Sequence, residues 1–197
     1  HQMQAVLPFG STALVRPPGN EPVLVKRLLD SGAPGFLFPM VQTAEEAAAA
    51  VAACRYPPKG VRGVAGVTRG NRWGRDKDYL DQVEDETCIL VQIETVEAME
   101  RAEEIASVEG VDGVFFGPAD IAASMGKVGQ PADPEMWELI FAAAARVRAV
   151  GTPTGTLIGD PGLINRCLDE GFLFVALGTD HGLLARGAES LLAQYKR

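Results

Sequence analysis

Short unbroken apolar runs that alternate with helical stretches constrain the fold of this chain more than any other feature of its sequence. The runs lie at 12–15, 35–41, 88–93, 113–117, 153–158 and 172–178. They lack the alternation of polar and apolar side chains, which is typical of parallel strands buried on both faces. Helices are predicted at 22–31, 43–55, 95–107, 133–151, 160–170 and 182–195. The pattern therefore predicts an α/β fold built from repeated βα units.

Two of the predicted helices begin with capping residues. Thr43 and Glu46 have the spacing of a capping box, which satisfies free backbone N–H groups in the first turn. Asp133 followed by Pro134 is typical of an N-cap and a first helical position. We therefore expect helices to begin at these two points, the second running to Gly151.

The order of elements fits either an open doubly wound sheet or a (β/α)8 barrel. Polar side chains at or just past the C-terminal ends of several strands favour the barrel, and they are Arg16, Gln92, Glu94, Asp120 and Asp180. The glycine fingerprint of a dinucleotide-binding sheet is absent after the first strand. We expect one TIM-barrel domain over residues 1–197, N-terminally incomplete, because two of the eight βα units are missing from the sequence.

Composition narrows the class of partner. The chain has 26 acidic and 18 basic residues, a formal net charge of -8 and no basic stripe, which argues against a nucleic-acid surface. No apolar run approaches the roughly 18 residues of a membrane span, and no export signal is recognised. Cys54, Cys88 and Cys167 are widely spaced in apolar stretches, so neither a disulfide framework nor a zinc site is expected. We therefore expect a soluble cytoplasmic protein that binds small molecules or copies of itself.

Two carboxylates are the strongest candidates for chemistry. Glu94 ends a buried strand, where a carboxylate must pair, bind a metal or remain desolvated at a high cost. Asp120 stands in the same position one βα repeat later, so both side chains point into one mouth. Like charges so placed favour a cation between them, and oxygen ligands suit Mg²⁺, Mn²⁺ or Co²⁺. The alternative for Glu94 is a helix N-terminal residue stabilised by the helix dipole.

Other polar groups surround this pair. Gln92 shares the strand face of Glu94. The strand-to-helix turn Gly117-Pro118-Ala119-Asp120 offers N–H groups to a substrate carboxylate. Arg16 either neutralises an oxyanion or forms a surface ion pair. We interpret His181 as a helix-start residue rather than as a metal ligand.

These residues belong to a larger set of motifs that resembles a known family. GFLFPMVQTAEEA, RYPPKGVRGV, VQIET, GVDGVFFGPADIAASMG and FLFVALGTD occur in the order and spacing of the HpcH/HpaI aldolases. Members of that family are divalent-metal-dependent class II aldolases that cleave 4-hydroxy-2-oxo acids, of the 4-hydroxy-2-oxoheptanedioate or 2-dehydro-3-deoxyglucarate type. The resemblance extends from about residue 4 to the end of the chain. It implies a TIM barrel and a lyase of aromatic or sugar-acid catabolism.

The resemblance assigns roles to individual residues. It implies that Glu94 and Asp120 hold the divalent metal, that Arg16 stabilises the enolate oxygen, and that Gln92 contacts the keto acid. It also implies that the turn at 117–120 holds the carboxylate of that keto acid.

Two further roles follow from the resemblance. Leu157 lines the pocket that receives the aldehyde, and Asp30 partners a catalytic His across a subunit interface. That His belongs to a D-x-E-H motif that the given sequence lacks, and we expect it before residue 1.

The expected partners are pyruvate or hydroxypyruvate together with an aldehyde. A homohexamer is implied by the resemblance. Independently of it, the Ala- and Val-rich helix at 43–55 and the large residues Trp137 and Phe141 are predicted to face another subunit.

Three other functions remain open on the sequence. A Schiff-base aldolase needs a desolvated lysine, whereas Lys26, Lys59, Lys77, Lys127 and Lys196 all fall in predicted helices, turns or the tail. A CoA-ester lyase of the citrate lyase β or malyl-CoA lyase type would share the metal site. A non-catalytic scaffold subunit would explain why no general base is found.

Overall fold

A single sheet of parallel strands organises the computed structural model, which describes residues 1–195. The strands are β1 (Gly35–Phe38), β2 (Cys88–Ile93), β3 (Gly113–Phe116), β4 (Thr154–Leu157) and β5 (Phe174–Ala176). Each strand pairs in parallel with the next one along the chain. This sequential order gives an α/β half-barrel and confirms five of the six predicted strands. β2 has the predicted bounds, and the other four strands are shorter than predicted.

The first predicted strand, at 12–15, is reduced to one bridge. Val15 donates its N–H to the carbonyl of Gly35 at 3.0 Å and accepts from the N–H of Leu37 at 2.9 Å, in parallel with β1. Pro17 and Pro18 follow at once, and because proline has no N–H the ladder cannot continue through them. The chain nevertheless places Arg16 beside the end of β1.

Helices connect the strands. They are α1 (Gln2–Val6), α2 (Pro22–Asp30), α3 (Ala44–Cys54), α4 (Tyr79–Glu86), α5 (Val96–Glu100), α6 (Ala102–Ala106), α7 (Pro118–Ser124), α8 (Pro134–Ala149), α9 (Pro161–Asp169) and α10 (Asp180–Tyr195). Short 3₁₀ turns lie at Leu7–Phe9 and Arg72–Gly74. Five of the predicted helices are confirmed. The sixth, at 95–107, is divided into α5 and α6 because Arg101 leaves helical geometry, with φ -99° and ψ 12°.

The packing of the core contradicts the prediction that Trp137, Phe141 and the helix at 43–55 face another subunit. Trp137 and Phe141 are 1% and 5% exposed, and their rings lie 5.4 Å apart inside the chain. Phe141 also meets the ring of Phe172 edge-on. On α3, Ala47 and Ala50 are fully buried. The prediction that these residues face another subunit is therefore wrong, because the chain's own helices and sheet cover them.

Unpartnered apolar surface lies instead on α10. Leu183, Leu184, Leu191 and Leu192 are each more than half exposed, and this helix has no buried residue. Among the helices of residues 1–195, none combines the length and the hydropathy that a membrane-spanning segment requires.

The cysteines differ from the prediction at one position. Cys54 and Cys167 are buried in apolar surroundings, but Cys88 is exposed at the start of β2. Burial raises the pKa of the Cys54 thiol to about 12 and that of the Cys167 thiol to about 11. These two thiols therefore behave as core side chains at neutral pH.

The capping box of α3 generates a stability prediction. The hydroxyl of Thr43 accepts from the N–H of Glu46 at 3.3 Å, and the Glu46 carboxylate accepts from the N–H of Gln42 at 2.7 Å. Thr43→Ala removes the first bond and should lower the free energy of unfolding by about 1 kcal/mol in urea titrations. Thr43→Ser keeps the oxygen and should be close to wild type. Equal midpoints for all three proteins would contradict this role of the cap.

Candidate active site

A cleft of about 440 Å³ opens at the C-terminal ends of the strands. Its walls come from consecutive βα connections, and they are formed by Arg16, Leu37, Gln92, Glu94, Phe115, Gly117, Pro118, Ala119, Asp120, Pro131, Leu157, Ile158 and Gly159. The structure thus brings together every predicted site residue except Asp30. Parallel strands explain this, because their C-terminal ends all meet at the same edge of the sheet.

Glu94 is the most buried charged group of the cleft, at 2% exposure. Its Oε2 accepts from the backbone N–H of Met40 at 2.8 Å, and its Oε1 accepts from Nε2 of Gln92 at 3.1 Å. Met40 has a φ of 53°, a left-handed conformation that a methionine adopts only when its surroundings impose it. The sequence analysis missed Met40, because nothing in a single sequence marks a non-glycine residue for positive φ.

Arg16 and Gln92 form a chain of hydrogen bonds that leads to Glu94. Arg16 Nε donates to Gln92 Oε1 at 2.7 Å, and Arg16 Nη2 lies 3.8 Å from Glu94 Oε1. The Gln92 amide thereby has its oxygen towards Arg16 and its nitrogen towards Glu94. The Arg16 side chain remains half exposed. Its guanidinium is therefore fixed at one end and accessible to a ligand at the other.

The electrostatics of Glu94 favour a cation. Burial raises the pKa of Glu94, and the negative charge of nearby Asp120 raises it further, while the Met40 N–H and Arg16 oppose both effects. Asp120 is exposed in the first turn of α7. A divalent ion beside both carboxylates would remove their repulsion and offset the burial of Glu94.

The donor set fits a hard divalent cation such as Mg²⁺. Both carboxylates offer oxygen, and residues 1–195 hold no cluster of three or more His, Cys, Asp or Glu side chains suited to a metal. The remaining positions would then belong to water or substrate oxygens, which Mg²⁺ commonly retains in enzyme sites.

The turn at 117–120 contributes fewer N–H groups than the sequence predicted. Gly117 donates its N–H to the carbonyl of Ile93 at 3.0 Å, and Pro118 has none. Among residues 1–195, no hydrogen-bond acceptor is found for the N–H groups of Ala119 and Asp120, which lie in the first turn of α7. Only these two can therefore receive a carboxylate.

Gly117 has a different role in the site. A Cβ atom at this position would lie 2.8 Å from Cγ of Glu94 and 3.0 Å from its Oε1. Glycine is therefore required here because the Glu94 side chain packs directly on the backbone.

Asp30 lies outside the cleft, at the end of α2. Its carboxylate is paired with Lys26 and accepts from Arg62 Nη2 at 3.1 Å. Arg62 is buried, donates to the Tyr79 hydroxyl at 3.0 Å and stacks on the ring of Tyr56. Asp30 is thus held in a fixed orientation away from Glu94, and its partnership with a catalytic His stays a prediction.

Comparison with known proteins places the chain in a family. A sequence profile described as HpcH/HpaI aldolase/citrate lyase matches residues 1–187. The chain belongs to this family. A pyruvate aldolase of Rhizobium etli is 53% identical over 194 residues, which cover 98% of this chain and 76% of that protein. A 4-hydroxy-2-oxo-heptane-1,7-dioate aldolase of Salmonella paratyphi B is 51% identical over 195 residues, 98% of this chain and 74% of the relative.

A solved structure gives the same result for the fold. A HpcH/HpaI aldolase/citrate lyase family protein from Burkholderia cenocepacia J2315 superposes with a TM-score of 0.92 at 34% identity. The match covers 98% of this chain and 77% of that one. The resemblance inferred from the motifs of the sequence is therefore confirmed.

The raised pKa of Glu94 gives this HpcH/HpaI family member a testable pH dependence. As pH rises above the ordinary value of 4.5, an unfolded Glu94 loses its proton before the folded one does. Without metal, the contribution of Glu94 to wild-type stability should therefore fall as pH rises through this range. Glu94→Gln, which removes the charge, should lose less stability over the same range and be at least as stable as wild type at neutral pH.

The measurement is urea unfolding at several pH values with a chelator present. Glu97→Gln is the matched control, since Glu97 is an exposed acidic residue on α5 whose removal takes away one charge without any burial. A parallel pH dependence of Glu94→Gln and wild type would contradict the burial argument.

Proposed function

We propose that this chain is a divalent-metal-dependent class II aldolase, a carbon–carbon lyase that reversibly cleaves 4-hydroxy-2-oxo acids to pyruvate or hydroxypyruvate and an aldehyde. The observation that carries the proposal is the meeting of Arg16, Gln92, Glu94 and Asp120 in one cleft. It is supported by relatives 51–53% identical that are named as aldolases.

Glu94 and Asp120 would hold the metal, and their carboxylate oxygens suit Mg²⁺, Mn²⁺ or Co²⁺. When bound, such a cation supplies Lewis-acid polarisation of the keto group and charge for the enolate oxygen. The chain itself orients the keto acid. The N–H groups of Ala119 and Asp120 receive its carboxylate, and the amide hydrogen of Gln92 that is not bonded to Glu94 reaches one of its oxygens.

Arg16 adds positive charge where the oxyanion develops. Its bond to Gln92 fixes the direction of the guanidinium before the substrate arrives, so little reorganisation is needed during the reaction. Leu157, 40% exposed on the same cleft, offers the aldehyde an apolar contact. The base that takes the 4-hydroxyl proton would be a His outside the given sequence, assisted by Asp30.

The positions of the described lysines argue against a Schiff-base aldolase. Lys26, Lys59, Lys77 and Lys127 are engaged by Asp30, Glu84, the Gly74 carbonyl and Asp133, respectively. None of these four lines the cleft. Lys196 lies outside the described residues. A CoA-ester lyase and a scaffold subunit are less well supported than an aldolase, because the 51–53% identical relatives have aldolase names.

The complete protein is proposed to close a single (β/α)8-barrel domain, with two further βα units beside the sequential half-barrel described above. A homohexamer with Asp30 near a subunit boundary is also proposed, and the exposed leucines of α10 support association. Three unpaired cysteines fit a reducing cytoplasm.

The proposal is tested by an aldol-cleavage assay with the metal removed and then restored. Chelation should abolish activity, and Mg²⁺, Mn²⁺ or Co²⁺ should restore it. Asp120→Asn and Glu94→Gln should each be inactive with any of the three ions, because each variant loses one of two carboxylates. Glu97→Gln, which changes an exposed acidic residue on α5, is the control. Undiminished turnover after complete chelation would refute the proposal.

Arg16→Lys tests the role of the guanidinium. Lysine keeps the positive charge but loses the planar arrangement of donors that bonds Gln92 and a substrate oxygen together. We expect kcat to fall more than the affinity for pyruvate, measured by steady-state kinetics and by pyruvate binding. An unchanged kcat would place Arg16 outside the reacting groups.

A further inference from the structure

One wall of the cleft depends on a loop with little local structure of its own. The segment 126–133 joins α7 to α8, and its Pro131 lines the cleft. Gly126 and Gly129 both have positive φ, at 75° and 79°, so the backbone on either side of Val128 is free of Cβ restraint. The loop has two turn hydrogen bonds of its own, from the N–H of Gln130 to the carbonyl of Lys127 and from the N–H of Asp133 to the carbonyl of Gln130, and contacts from outside the loop hold Pro131 to α8.

Two such contacts are present. Trp137, 1% exposed in the first turn of α8, donates its indole N–H to the carbonyl of Pro131 at 2.9 Å. Lys127 Nζ bonds Asp133 at 2.8 Å and Glu135 at 2.6 Å, which ties the start of the loop to the start of α8. Asp133 also caps α8 through the N–H of Met136.

These two contacts differ in their surroundings. The Lys127 pairs are partly exposed to water and are weakened by screening. The donor of the other hydrogen bond is the fully buried indole ring of Trp137, which packs on Phe141. This ring cannot move without opening the core. Trp137 is thus the rigid anchor of Pro131.

Pro131 lines the same cleft as Leu157. The groups proposed to bind the keto acid come from Arg16 and the ends of β2 and β3. Leu157, which is proposed to meet the aldehyde, follows along β4. The loop of Pro131 lies between β3 and β4 along the chain, and these two strands are neighbours in the sheet.

We propose that Trp137 is a positioning residue that determines aldehyde selectivity by holding Pro131 against the acceptor half of the cleft. The inference rests on the proposed aldolase function and deepens it. Trp137 touches no substrate. It acts through the carbonyl of Pro131, and its loss lets one wall of the acceptor pocket move while the keto-acid groups stay in place.

The test is the kinetics of Trp137→Phe with two aldehydes of different length. Phenylalanine keeps an aromatic ring in the core and lacks the N–H. The aldehyde KM should rise about 2- to 10-fold, the factor expected for one lost hydrogen bond. Discrimination between the two aldehydes should relax, and the pyruvate KM should stay within error of wild type. Equal changes for pyruvate and aldehyde would overturn the proposal.

Two further variants separate positioning from general loss of stability. Val147→Ala removes packing from the far part of α8, where Val147 is fully buried, and should lower stability without changing aldehyde selectivity. Pro131→Gly should change selectivity as Trp137→Phe does. The double variant should add little to either single change, because both act through one contact. Independent, additive effects would contradict a shared contact.

Hydrogen exchange tests the same contact without any activity. The N–H of Gln130 bonds Lys127 and that of Asp133 bonds Gln130, so both report on the loop. Their exchange should accelerate in Trp137→Phe and not in Val147→Ala. Unchanged exchange would overturn the proposal. Inactive wild-type protein would refute the aldolase function alone, and the exchange result would then decide whether Trp137 fixes Pro131.

Discussion

The burial of one negative charge determines how this site is built. Glu94 is almost without contact with water, and a carboxylate in that position is stable only if its oxygens are hydrogen-bonded or neutralised. Met40 supplies a backbone N–H at the expense of a left-handed conformation, and Gln92 supplies a side-chain N–H. Gly117 has no Cβ atom, which leaves space for the Glu94 side chain. Two connections and one strand are thus shaped around one carboxylate.

The same burial explains why the neighbouring carboxylate is accessible. Asp120 lies in the first turn of α7, exposed, where the helix dipole and water both stabilise its charge. One carboxylate is therefore immobilised in the wall of the cleft while the other faces the solvent side. A cation between the two carboxylates would be bound by the protein on one side and would remain accessible to water or substrate on the other side.

The half-barrel supplies the rigidity that these contacts need. Each strand is hydrogen-bonded to the next, so the spacing of the strand ends that carry Gln92, Glu94 and Leu157 is fixed by the sheet. The loops place further residues around the cleft, and buried side chains in the core hold these loops in position. Pro131 is held by Trp137, and Asp30 is held by the buried Arg62. Contacts in the core therefore fix the position of Pro131 and the orientation of Asp30.

Local patterns in the sequence were sufficient to predict much of the fold and of the candidate site. The unbroken apolar runs predicted the parallel strands, and the capping residues predicted where α3 and α8 begin, because both signals depend on residues close together along the chain. The repeat of strand and helix also placed Gln92, Glu94 and Asp120 at one edge, since parallel strands end on the same side.

Contacts between distant segments could not be predicted in this way. Trp137 and Phe141 were expected on a subunit face, and only the packing of α8 on the sheet shows them to be core. The left-handed Met40, the occupied N–H of Gly117 and the separation of Asp30 from the cleft depend on which chain segments meet. The sequence by itself determined most of the strands and helices and the edge of the sheet that carries the candidate site, because strand and helix patterns are local. The tertiary structure alone decided that the Met40 N–H and Arg16 meet the Glu94 carboxylate, because both lie tens of residues away from Glu94 along the chain.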